Sequence, residues 1–252
     1  MKTNKLITRR QMMAGGLTAA SGVLLTGCGK NLPPTYGNIL RMGDALTYTA
    51  QRALLPGQAL AREYTRQDIS SFPAIGVTSP GDPAKPGFSE AYQRLQRGGF
   101  AGWRLSVEGL VAHPRAFSLA DLKRLPARTQ ITRHVCEEGW SAIAEWTGAP
   151  LSLALAAAGL LPNARFVSIY SYDDWADSID LLDALHPQTI LAYGMNGRDL
   201  PVPHGAPVRL RVERQLGYKS IKFLQRLVVT EELDDGGAKG NPQNGWSWYA
   251  GI

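Results

Sequence analysis

Thr132 to Ser141 reads TRHVCEEGWS and sets an imidazole, a thiol and two carboxylates, His134, Cys136, Glu137 and Glu138, in one short run. A thiolate at a turn after a strand serves as a nucleophile or as a soft metal ligand. His134, two residues earlier, falls on the same face of an extended chain. Each has a plainer reading on its own. A lone cysteine is more often a small, inert, buried side chain, and a lone histidine is more often a hydrogen-bonded core or surface group. The spacing carries no required geometry for a Cys–His hydrolase, although that chemistry is open to it.

The second chemical cluster is PVPHGAPVRLRVERQLGYKSIKFLQRL, Pro201 to Leu227. It carries Arg209, Arg211, Arg214, Lys219 and Lys222, interrupted by Gly205 and Gly217. The planar fork of Arg209 suits a phosphate. Gly217 allows a tight turn that brings backbone N–H groups near Ser220 close to an anion. The plain alternative is a solvated strand face, and Arg211 and Arg214 are the residues expected to be solvated.

The elements that hold these groups follow from periodicity. Trp103, Leu105 and Val107 alternate with polar residues, as do Val167 and Ile169, and Val208, Leu210 and Val212, so each reads as a strand. Gln225 to Thr230 reads as a fourth. Ser118 with Asp121 three residues on caps a short helix, and Leu151 to Leu161 reads as a buried helix ending near Gly159. Asn31 to about Pro86 is rich in proline and reads as irregular, with one short helix near Ala59–Tyr64. The tail from Asp234 is Gly- and Asn-rich but ends in Trp246, Trp248 and Tyr249, which are expected to pack back on the body. With 252 residues, 27 glycines and 16 prolines, the chain is a loop-rich α+β domain rather than a helical bundle.

The N-terminus has three parts: a basic stretch ending in Arg9-Arg10, an uncharged apolar run from Met12 to Leu25, and Leu25-Thr26-Gly27-Cys28. The run is short and glycine-rich for a membrane span. Paired arginines before it resemble a twin-arginine export signal, and Leu-Thr-Gly-Cys resembles a bacterial lipoprotein box that lipidates Cys28. An uncleaved anchor is the alternative. The division expected is a signal over 1–27, a tether and irregular segment over 28–60, and the working domain over 61–252. Loss of residues 1–27 lowers Lys+Arg from 27 to 23 against 21 acids and leaves a net charge of +2, which argues against a nucleic-acid partner. Cys136 is then the one free thiol, too few for a disulfide, a multi-cysteine zinc site or an iron–sulfur cluster.

Ile131 to Trp146, Gly148 to Leu151 and His204 to Lys222 together closely resemble the molybdopterin domain of the sulfite oxidase superfamily, nearest its bacterial periplasmic branch, which includes the catalytic subunit of methionine sulfoxide reductase. The likeness covers roughly Trp103 to Thr230. It implies a single α+β domain of mixed β-sheets with short helices, and a Mo-molybdopterin cofactor with molybdenum ligated by Cys136. It implies that Ser171, His204, Arg209, Ser220, Ile221 and Lys222 seat the pterin and its phosphate, with weaker contacts from Pro73 and Ala74 in SSFPAIG. It further implies a metal cycling between Mo(VI) and Mo(IV), oxygen-atom transfer on a small substrate, and electrons exchanged with a membrane haem b subunit or cytochrome c. The expected setting is the periplasm, with a monomeric catalytic subunit tied to a bacterial membrane by its lipid. Sulfoxide or N-oxide reduction is favoured; sulfite oxidation and a non-catalytic binding lipoprotein are the alternatives. The chain is expected to lack the extra dimerisation domain and the long C-terminal extension of some members.

Overall fold

A computed structural model of the chain describes residues 36–76, 78–233 and 247–252. The expected signal, the lipidation residue Cys28 and Trp246 lie outside the described residues. The strands pair into two sheets, one mixed and one wholly antiparallel. The first contains β1 (Arg104–Gly109), β2 (Arg115–Ser118), β5 (Phe166–Ser171), β6 (Ala176–Asp180) and β10 (Leu224–Thr230), in the order β2-β1-β10-β5-β6. β1 and β10 run parallel, with Ser106 opposite Arg226, and the other pairs are antiparallel. The second contains β3 (Arg128–Val135), β4 (Ser141–Pro150), β7 (Ile190–Met195) and β8 (Arg198–Asp199), in the order β3-β4-β7-β8, with β9 (Arg209–Arg211) also paired to β7.

The inward faces of both sheets share one core. Leu105, Val107, Ile169 and Leu227 from the first sheet meet Leu191, Val208 and Leu210 from the second, all fully buried. Two short helices follow the sequence signals. Ser118 caps α3 (Leu119–Arg124) by accepting the Asp121 N–H at 3.0 Å, and the Asp121 carboxylate accepts the Ser118 N–H at 2.8 Å. α4 (Leu151–Ala158) buries Leu151, Ala154, Leu155 and Ala158 against β1 and β4 and ends at Gly159. Helix α2 (Glu90–Arg97) precedes β1 and buries Tyr92.

Two N-terminal expectations are corrected. Tyr36–Leu54 forms a 19-residue helix, α1, where an irregular tether was expected. It is tied to the sheet: Arg52 meets Asp180, the last residue of β6, at 2.9 Å and Asp183 at 3.0 Å. Ala59–Tyr64 is extended rather than helical. Glu63 bridges Thr132, and the Tyr64 N–H donates to the Ile131 carbonyl at 2.8 Å. This strand-like segment covers the outer edge of β3, whose backbone groups need partners. Trp248 and Tyr249 do pack back, with ring centroids 5.2 and 5.0 Å from Tyr48.

Candidate functional site

The β3–β4 hairpin presents Cys136. Residues 136–140 form its turn, closed by the Cys136 N–H donating to the Trp140 carbonyl at 2.9 Å and the Gly139 N–H donating to the Cys136 carbonyl at 3.1 Å. Cys136 is 6% exposed and opens on a cleft. Burial, reinforced by the charge of Glu137, pushes its pKa up to about 11 against a lesser downward pull from the backbone at Glu138. Glu137 and Glu138 carboxylate oxygens lie 3.5 and 3.9 Å from Sγ.

The opposite wall is cationic. Arg209 on β9 is 4% exposed and donates to the His204 carbonyl at 3.1 Å and the Ser220 carbonyl at 2.7 Å. Its Nε is buried without a partner. Burial, then the neighbouring Arg211 charge, lowers the Arg209 pKa to about 9. Lys222 donates to the Ile75 carbonyl at 3.0 Å, and burial and Arg209 lower its pKa to about 8. Among the described residues, the N–H groups of Ile221 and Lys222 have no hydrogen-bond acceptor. Gly205, at φ +106, lets the chain turn against Lys222: a Cβ there would sit 2.8 Å from the lysine Cβ.

The charges expected in solvent are instead buried. Arg211 is 1% exposed and clamped by Glu213 through Nε at 3.0 Å and Nη2 at 2.6 Å. Arg214 is 7% exposed and donates to the Gly57 carbonyl at 2.6 Å. Alternation along β9 fails as a guide because both faces of that strand are covered. Lys219 is fully buried too, paired with Asp177 at 2.6 Å.

Arg211 reaches the site through His134. Its Nη1 lies 2.8 Å from His134 Nδ1. A guanidinium only donates, so Nδ1 is the acceptor and the ring proton sits on Nε2. Burial, then Arg211 and Arg209, lowers the His134 pKa to about 2. Gly217 is needed for clearance: a Cβ there would lie 2.4 Å from His134 Cε1 and Nε2. This adds to the tight turn expected there, which Gly217–Lys219 forms. The Ser220 N–H is also committed, donating to the Gly217 carbonyl at 2.9 Å.

The structure brings Cys136, His204, Arg209, Ser220, Ile221 and Lys222 to one cleft, together with Pro73 and Ala74. Ser171 stands behind the wall. Its hydroxyl contacts the Asp173 carboxylate and accepts the Trp175 N–H at 3.0 Å, and Asp173 faces the cleft. Sequence reasoning missed Phe72, whose ring lies 5.2 to 6.0 Å from His134, Trp140, Trp146 and His204. It also missed Trp146, under Arg209 and Arg211 at 5.1 and 4.5 Å. The one available signal was a phenylalanine flanked by serine and proline in an otherwise polar stretch.

The residues fit a molybdopterin. An orphaned guanidinium nitrogen, two unpaired N–H groups and an ammonium form an anion seat, and a soft sulfur donor faces the same space. Comparison with known proteins agrees. Residues 94–237 match the family model for the oxidoreductase molybdopterin binding domain. The chain is 33% identical over 251 residues, all of its own length and 88% of the relative's, to an Azospira oryzae protein provisionally assigned as protein-methionine-sulfoxide reductase subunit YedZ1. It is 33% identical over 146 residues to the protein-methionine-sulfoxide reductase catalytic subunit MsrP of Ralstonia nicotianae, covering 52% of this chain and 44% of that one. The sulfane dehydrogenase SoxCD from Paracoccus pantotrophus superposes with a TM-score of 0.52 at 25% identity, over 56% of this chain and 40% of that one. The chain therefore spans less than half the length of the latter two.

Proposed function

Because this chain belongs to the oxidoreductase molybdopterin-binding domain family, we propose that it reduces a small sulfoxide or N-oxide, with Cys136 as the metal ligand and Arg209 and Lys222 as the phosphate seat. The fold is of the sulfite oxidase type, and the protein is a molybdopterin-dependent oxidoreductase whose cofactor is Mo-molybdopterin. When bound, the cofactor supplies two-electron oxygen-atom transfer chemistry. The protein supplies position and charge. The Cys136 thiol gives up its proton on ligation. Arg209 Nε, the Lys222 ammonium and the N–H groups of Ile221 and Lys222 hold the phosphate, while His204 and Ser220 fix the arginine through their carbonyls. Ser171 orients the wall through Asp173. His134 offers its Nε2–H beside Gly217, and Phe72 and Trp140 narrow the space open to water.

One observation carries the substrate reading. Glu137 and Glu138 place two carboxylates beside Sγ, at the mouth of the proposed metal site. They repel an anion such as sulfite and leave a neutral sulfoxide unopposed. The names of both sulfoxide reductase relatives point the same way. The second reading is a sulfite-type oxidase passing electrons to cytochrome c, and the name of the sulfane dehydrogenase among the solved structures leans toward oxidation. In either case the electron partner is a separate haem protein. The setting is the bacterial periplasm, reached by twin-arginine export and held by a lipid on Cys28. The working domain extends over 61–252 with α1 docked on it.

The test begins with the purified, natively exported protein. Its molybdenum is quantified, its pterin is detected as a fluorophore after denaturation, and turnover is followed with methionine sulfoxide and a reduced viologen. Near-stoichiometric molybdenum with sulfoxide-dependent dye oxidation is the expected result. Turnover of sulfite alone would replace the reductase reading with the oxidase one. Absence of molybdenum from protein made in a cofactor-competent host would overturn both and favour a binding lipoprotein.

A further inference from the structure

Helix α1 is inside out. From Met42 onward its charged residues and Gln51 face the protein. Asp44 is 6% exposed and accepts the Trp248 N–H at 3.3 Å. Gln51 donates to the Gly251 carbonyl at 2.9 Å and accepts the Tyr249 hydroxyl at 2.9 Å. Arg52 is held between Asp180 and Asp183 and packs on the Tyr48 and Tyr249 rings at 5.1 and 5.2 Å. Asp44, Tyr48, Gln51 and Arg52 recur at helical spacing and define one face.

The other face is bare and mostly apolar, with Thr47 and Thr49 as its exposed hydroxyl side chains. Leu46 is 69% exposed, Leu54 81% and Met42 37%, with Ala45, Ala50 and Ala53 between them also exposed. Thr49 lies on this face, but its hydroxyl donates back to the Ala45 carbonyl at 2.7 Å, which leaves a methyl group outward. From Met42 to Leu54 the charged side chains are Asp44 and Arg52, and both are turned in. A helix whose outer face meets water has the reverse arrangement. Among the described residues no helix is long and apolar enough to cross a membrane, so α1 does not span one.

The chain ahead of the helix names the occupant. Seven residues lie between Cys28 and Tyr36, a reach of roughly 28 Å at full extension. We propose that the outward face of α1 lies on the lipid surface that holds the N-terminal segment. The inference rests on reading residues 1–28 as a membrane-anchoring export segment, whether Cys28 is lipidated or the run Met12–Leu25 is retained. A tether this short raises the local lipid concentration, so a modest apolar stripe suffices for contact. The contact also orients the cleft. The segment 247–252 clamps α1, and Tyr218 of the cleft wall donates its hydroxyl to the Ser247 carbonyl at 2.6 Å.

The test uses the full chain, made with its own signal and reconstituted into vesicles of phosphatidylethanolamine and phosphatidylglycerol. Leu46→Cys and Ala50→Cys are labelled with an environment-sensitive fluorophore, with Glu90→Cys on α2 as the exposed control and the unsubstituted protein as the blank for Cys136. Flotation reports attachment, and quenching by spin-labelled lipid reports which face touches the membrane. The expected result is flotation of all variants, with quenching about threefold stronger at positions 46 and 50 than at 90. Flotation with equal, weak quenching at all three positions overturns the lipid contact and leaves the anchor reading intact. Shielding at position 46 without vesicles overturns it in favour of a second copy of the chain. Failure to float overturns the anchor reading and the lipid contact together, with molybdenum content unchanged.

Discussion

Arg209→Met separates a cofactor seat from a structural arginine. In cofactor-free protein, the substitution removes two charge-assisted hydrogen bonds, to the His204 and Ser220 carbonyls, at a cost of roughly 1.5–3 kcal/mol each. It also removes a buried cation. Lowering of the Arg209 pKa from 12.5 to about 9 corresponds to roughly 5 kcal/mol held against folding at neutral pH. The two effects are of similar size and opposite sign, so the cofactor-free variant is expected to unfold in urea within about 1–2 kcal/mol of the parent. The loaded protein behaves differently. There the phosphate loses its planar partner, worth about 2–3 kcal/mol, and affinity falls about 30- to 150-fold. The assay is urea unfolding of both proteins from a cofactor-deficient host, followed by titration with isolated cofactor. A cofactor-free variant destabilised by more than about 4 kcal/mol, with affinity unchanged, would refute the reasoning and make Arg209 a structural residue.

Further outcomes follow from the same geometry. Lys222 is a base whose folded pKa, about 8, lies below its ordinary value of 10.5. The unfolded chain therefore binds more protons across that window, and cofactor-free protein should gain stability as pH rises from about 8 to 10.5, by up to about 3 kcal/mol. Lys222→Met should flatten that rise in urea midpoints. Phosphate favours the ammonium form, so cofactor affinity should be level below pH 7 and fall by up to about tenfold per unit above pH 8, as read by titration. Cys136→Ala should abolish turnover while leaving pterin detectable, and full turnover would exclude Cys136 as ligand. Gly217→Ala should cost about 1–3 kcal/mol in thermal or urea unfolding, because its Cβ meets the His134 ring. Arg52→Met should cost about 3–5 kcal/mol by leaving Asp180 and Asp183 without their cation, and should speed hydrogen exchange across Tyr36–Leu54.

The sequence made β1, β5, β9, β10 and the α3 cap legible because local pattern specifies them: alternation for β1, β5 and β9, an apolar run for β10, and Ser118 with Asp121 for the cap; β2, β4, β6, β7 and β8 were not read. The Cys136 and His204–Lys222 blocks were legible through resemblance, since neither block on its own excludes an inert cysteine or a solvated basic strand. Helix α1 was hidden by its reversed polarity. A reader looking for an apolar face turned inward finds Asp44, Gln51 and Arg52 there instead. Arg211 looked solvated because its partners, Glu213 and His134, come from a neighbouring loop and from another strand. Phe72 carried no periodic signal at all, and its contacts arise only when an irregular segment folds across the hairpin.

The central place of β10 sets a clock on folding. β10 lies between β1 and β5, so the first sheet stays in two pieces until Leu224–Thr230 has been synthesised. Its parallel pairing with β1 joins residues more than a hundred positions apart, a contact that forms late in any folding sequence. Arg9 and Arg10 leave the ribosome some two hundred residues earlier, which is about 10–40 s at ordinary rates of synthesis. The proposed N-terminal signal is thus complete long before there is a finished domain for it to accompany. Under the twin-arginine export proposed above, the chain must wait until its last core strand is in place, and until shortly before that the cleft has neither its β9 wall nor the turn that carries Ser220 to Lys222.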